Sequence, residues 1–123
     1  MGQKRFTWKG RARSFGFAFA GLKYVFKTQH NFWIHICISA LVIIAGIVLK
    51  VTVNDWRWLI AAMAMVLVAE ILNTAIELAC DAVSDQFHPE IQKSKDIAAA
   101  AVLIASAAAA IIGVTVFWSY LPF

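Results

Sequence analysis

The stretch from Phe32 to Leu49 holds 18 residues without a formal charge. That is the length at which an apolar helix crosses the hydrocarbon core of a bilayer. Two further stretches share the character. One runs from Trp58 to Ala79 and is uncharged as far as Glu70; the other, Ile97 to Leu121, carries no charge at all. A chain of 123 residues with three such segments and a 62% hydrophobic composition is an all-α membrane protein of a single domain, 1–123. The third segment is alanine-rich, "AAAAVLIASAAAAIIG". Small residues let helices approach closely in lipid, so this helix is expected to sit inside an assembly.

Residues 5–27 differ. Phe15, Phe19, Leu22 and Phe26 recur at spacings of three and four among Arg and Lys, the pattern of an amphipathic helix lying in the membrane interface. Gly10, Gly16 and Gly21 argue against one unbroken helix there. Seven of the eleven basic residues precede residue 28, where no acid occurs. Beside membrane helices such a basic arm suits an anionic lipid surface better than nucleic acid. Lysine and arginine placement also sets orientation. The N-terminal arm and the 80–96 connection hold nine of them, against Lys50 and Arg57 around the 50–57 loop. The N-terminus is therefore expected on the cytoplasmic side and the C-terminus outside. Cys37 and Cys80 lie in apolar segments and read as small buried hydrophobes.

The second span ends in "AEILNTAIELACDAVSD". Glu70, Asn73, Glu77 and Asp81 are spaced three, four and four apart and so form one line on a helix face. A carboxylate facing lipid is costly, so the line must face protein or a water-filled cleft. Glu70 and Glu77 stand about 10 Å apart along the axis. That separation suits one group acting at a lipid headgroup and the other meeting something water-soluble. A polar seam that fixes oligomer register is an alternative. So is an ion path, although no other span carries an acid. Lys93, Lys95 and Asp96 flank the start of the third span, where a lysine and helix N-terminal amides can bind phosphate. No GxxxxGK[ST] loop and no soluble-kinase motif set is present. His30, His35 and His88 lack metal-ligand spacing and read as structural or interfacial.

"EILNTAIELACDAVSDQFHPEIQKSKDIAAAAVLIA" resembles the signature region of the small bacterial membrane kinases, the prokaryotic diacylglycerol kinase and undecaprenol kinase family. The resemblance extends upstream through "AGLKYVFKTQHNFWIH", where "NFWIH" is similar to the undecaprenol kinase branch. It implies homotrimers with three membrane helices and an N-terminal surface helix per chain, and active sites shared between subunits. It also implies ATP- and Mg²⁺-dependent phosphorylation of a membrane lipid hydroxyl, undecaprenol before diacylglycerol, at the bacterial inner membrane. On that resemblance Glu70 is the general base, and Asn73, Glu77, Asp81, Lys95 and Asp96 hold the nucleotide. Glu77 is also a metal ligand. The second metal position, a glutamate in the family pattern, is Gln29 here. Glutamine offers an oxygen without a charge, and Mg²⁺ is commonly held by one or two carboxylates plus phosphates and water.

Overall fold

The structure is a computed structural model that describes residues 6–122. Those residues form four helices and no strand: α1 (Trp8–Thr28), α2 (His30–Val48), α3 (Val53–Val83) and α4 (Pro89–Trp118). Three of them, α2, α3 and α4, are long and apolar enough to cross a membrane.

Each boundary has a local cause. Thr7 caps α1 by accepting the Gly10 amide at 3.1 Å. The expected surface helix begins at Arg5, which lies outside the described residues along with Lys4. From Trp8 onward α1 is continuous through all three glycines. No atom lies within 4 Å of where a Cβ would stand at Gly16 or Gly21. A single extended residue, Gln29, separates α1 from α2. The junction is held by the Trp33 indole, which donates to the Phe26 carbonyl at 2.7 Å, and by edge-on contacts of Phe26 with Phe32 and Trp33.

The α2–α3 turn closes by main-chain bonds. Lys50 donates to the Ile47 carbonyl and Val51 to that of Gly46, the paired pattern of a left-handed helix stop. Lys50 takes the positive φ of 53° that this stop needs. Thr52 then caps α3 by accepting the Asp55 amide at 3.2 Å, while its hydroxyl donates to the Asp55 carboxylate at 2.7 Å. Pro89 opens α4 at a position where a missing N–H costs nothing.

The helices outrun the expected spans. α3 continues from Ala79 to Val83, and α4 begins at Pro89 rather than Ile97, so the irregular connection shrinks to 84–88. The apolar residues between the stripe positions keep helical periodicity to the end of α3, and nothing breaks it before Ser84 turns to an extended backbone. α4 stops at Trp118 instead of reaching Leu121, because Ser119 and Tyr120 form a tight turn. At 31 residues α3 is roughly 46 Å long, well beyond a hydrocarbon core of about 30 Å.

α3 packs chiefly on α4, and α2 on α3. The buried aliphatic cluster sits at the turn end, where Val51, Leu59 and Val116 meet Trp56, Met63, Phe117 and Tyr120. There the Tyr120 hydroxyl donates to the Asp55 carboxylate and accepts the Thr52 amide, tying the C-terminal turn to the α2–α3 loop. Toward the other end the contact is made by small and polar side chains: Ala98 and Ala105 of α4, and Glu70 and Thr74 of α3, are all buried.

Candidate active site

Burial falls steadily along the α3 stripe. Glu70 is 4% exposed, Asn73 and Glu77 are half-buried, and Asp81 is exposed. The line therefore runs from the protein interior toward open space at the 84–88 turn. One helix generates this gradient because α2 covers only the deeper part of the face.

Glu70 points at α2. Its Oε1 lies 3.3 Å from Nε2 of His35. Thr74, 3% exposed, turns its hydroxyl back onto the Glu70 carbonyl at 3.0 Å, so it spends its donor within the helix and leaves the carboxylate alone. One turn on, the Asn73 amide nitrogen donates to Glu77 Oε1 at 3.2 Å. A carboxylate can only accept, so the amide must present its NH₂ to it. That forces Asn73 Oδ1 to the other side, where it is buried without a protein partner. A buried acceptor left in this way needs a partner that the chain does not itself supply, such as a water.

At the open end, Lys95 of α4 reaches back across the turn to Asp81 Oδ1 at 2.5 Å. Lys95 precedes the uncharged run that starts at Ile97. The Asp81 hydrogen bond holds its ammonium above the ordinary range; desolvation opposes this, and the charges of Asp81 and Glu77 add to it. α3 and α4 thus present three carboxylates, an amide and a cation on one continuous line.

Two expected site residues make their hydrogen bonds elsewhere than on that line. Asp96 accepts a bond from Gln92 of its own helix at 2.8 Å. Gln29 donates to the neighbouring Thr28 hydroxyl at 3.1 Å and makes no hydrogen bond to the stripe. Among the described residues no group of three or more His, Cys, Asp or Glu side chains is arranged to hold a metal. The donor set still suits a hard cation in part. Glu77 supplies a half-buried carboxylate oxygen, and Mg²⁺ takes its remaining ligands from phosphate and water.

His35 is the residue that sequence reasoning passed over. It looked isolated because its partner is distant in sequence. The signal was there in the short α2–α3 loop, which makes those helices antiparallel neighbours and sets residues at similar distances from the loop side by side. Beyond His35, an apolar cavity of about 270 Å³ runs between α2, α3 and α4, lined among others by Ser39, Val42, Leu59, Val66, Ser106 and Phe117.

The chain is similar to known proteins over much of its length. A diacylglycerol kinase of Synechocystis is 41% identical over 101 residues, covering 81% of this chain and 58% of that protein. An undecaprenol kinase of Bacillus subtilis is 31% identical over 105 residues, covering 85% of each. A diacylglycerol kinase of Escherichia coli is 39% identical over 62 residues, half of this chain and 51% of its own. The matched region thus spans little more than half of the two diacylglycerol kinases and most of the undecaprenol kinase. Residues 16–117 match the family pattern of prokaryotic diacylglycerol kinase, and with that stripe, turn and lysine on a three-span frame the chain belongs to this family.

Proposed function

We propose that the protein is a membrane lipid kinase that transfers the γ-phosphoryl group of ATP to a lipid alcohol at the cytoplasmic face of the bacterial inner membrane. The observation that carries this reading is the burial gradient on α3. It sets Glu70 inside the bundle against His35, which lines an apolar cavity, and Glu77 nearer open space with Lys95 across from it. An amphiphile's hydroxyl and a water-soluble phosphate meet where these two environments adjoin.

In the reaction the lipid hydroxyl oxygen attacks the γ-phosphorus, the bond to the β-phosphate oxygen breaks, and ADP leaves. Glu70 accepts the hydroxyl proton as the new phosphate ester forms. Asn73, Glu77, Asp81, Lys95 and Asp96 hold the nucleotide: the ammonium offsets charge on the phosphate oxygens, and the Asn73 amide fixes the Glu77 carboxylate. Glu77, with Gln29 as a second, uncharged ligand, would hold Mg²⁺, which would supply neutralisation of phosphate charge. Positioning and electrostatics are what phosphoryl transfer needs most, and a short polar line can supply both.

Undecaprenol is the proposed acceptor. The "NFWIH" segment and the similarity to the Bacillus undecaprenol kinase over 85% of each chain support it. Diacylglycerol is the second reading, favoured by the higher identity to the Synechocystis diacylglycerol kinase. The chain works as a homotrimer with sites shared between subunits, its N-terminus cytoplasmic and its C-terminus outside, in keeping with the excess of lysine and arginine on the α1 and 84–88 sides. Labelled ATP offered with undecaprenol and with diacylglycerol in parallel tests class and acceptor together. Labelled undecaprenyl phosphate is the expected product. Labelled phosphatidic acid alone would select the second reading, and no lipid product from folded protein would overturn both.

A further inference from the structure

We infer that His35 is a positioning residue for Glu70: it holds the carboxylate in place from the wall of the apolar cavity. The inference rests on the kinase reading, in which Glu70 is the base. Two independent features carry it. His35 Nε2 lies 3.3 Å from Glu70 Oε1, and both side chains are shielded, 19% and 5% exposed. His35 also lines the cavity, whose other polar side chains, Ser39 and Ser106, are hydroxyls. The imidazole therefore stands between the cavity and the base.

The reason Glu70 needs such a partner is electrostatic. A carboxylate inside a bundle is tolerated when a donor faces it. Thr74 cannot serve, because its hydroxyl is committed to the Glu70 carbonyl. Asn73 gives its NH₂ to Glu77. His35 comes from a different helix, so it also fixes the carboxylate relative to the cavity wall rather than relative to α3 alone. Without it the Glu70 side chain can turn about its own torsions, and a shift of about 1 Å at a reacting group costs about a hundredfold in rate. Nucleotide binding should be spared, since Asn73, Glu77 and Lys95 lie a turn or more along the stripe.

The test uses the full chain in lipid with His35→Phe, His35→Gln, Glu70→Gln and the His35→Phe/Glu70→Gln double variant. His35→Phe is expected to lower kcat about ten- to hundredfold while KM for ATP moves by less than about twofold. His35→Gln, which restores a donor, is expected to recover most of that loss. The drop in Tm caused by His35→Phe should shrink in the Glu70→Gln background, because no carboxylate is then left unpaired. Equal losses for the Phe and Gln variants, a matching rise in KM for ATP, or the same Tm drop in both backgrounds would overturn the inference and leave His35 a packing residue. If His35→Phe does not assemble, His35→Asn takes its place. Its amide is too short to span the gap, so it should lose turnover where Gln keeps it, and equal activity of the two would overturn the inference. Turnover that survives Glu70→Gln is a separate failure, that of the base assignment itself. It is visible before any His35 variant is assayed.

Discussion

Glu70 and Glu77 are chemically the same group on one helix, and the fold gives them different surroundings. Glu70 is buried against α2, whereas Glu77 is half-buried and bonded to an amide. Glu70→Gln keeps the shape and removes the proton acceptor. Turnover should fall at least about a hundredfold, with Tm retained and ATP still bound. Retained turnover in the lipid-kinase assay would remove Glu70 from the mechanism. Gln29 poses the opposite case. Its amide is engaged with Thr28 and makes no bond to the stripe, so any metal contact it makes comes through its carbonyl oxygen. Gln29→Glu adds a charge at the α1–α2 junction. It should lower the Mg²⁺ concentration for half-maximal activity several-fold, and an unchanged Mg²⁺ titration would assign the metal to Glu77 alone.

The helices depend on a few close contacts that fix how α2 lies on α3. Gly46 is the clearest: a Cβ built there would stand 2.7 Å from Cη2 of Trp56. Trp56 is in turn packed against the Val51, Leu59 and Val116 cluster, so its ring has little room to retreat. Gly46→Leu should therefore cost about 1–3 kcal/mol, read as a lower melting temperature in detergent. Activity should fall as well, because the same helix pair carries His35 to Glu70. A melting temperature at or above that of the unaltered protein would show that the α2–α3 approach is not tight there. Contacts of this kind explain how far the sequence was legible. The four helices, the stripe and the lysine that faces it follow from periodicity, charge and local signals. The His35–Glu70 pair and the Gly46–Trp56 contact depend on where two helices touch: the short α2–α3 loop makes the helices neighbours, but no local pattern sets which side chains meet. The extended ends of α3 and α4 were hidden for another reason: charges in 80–96 read as loop, although charged side chains at the end of a long helix simply reach water.

At the scale of the whole chain the structure is thin. Phe15, Phe17 and Phe19 on α1, Ile44, Ile47 and Val48 on α2, and Leu103, Ile104 and Ile111 on α4 are all well exposed. In lipid such faces need no partner, since acyl chains are as apolar as leucine. Apolar exposure alone therefore says little about assembly. The polar stripe says more. α2 covers Glu70, but Asn73 Oδ1 is without a protein partner and Glu77 is only half-buried. The polar line of a single chain therefore keeps one face uncovered toward its open end, at Glu77 and Asp81. The alanines and small residues of α4 let a second copy approach closely, and a closed ring of copies would cover that face in each. The expected result is a detergent-solubilised particle containing three 13.6 kDa chains, with lipid-kinase activity eluting at that mass. Dilution into excess detergent should lose mass and activity together. A monomeric fraction with full turnover would mean that the half-open site of one chain is enough.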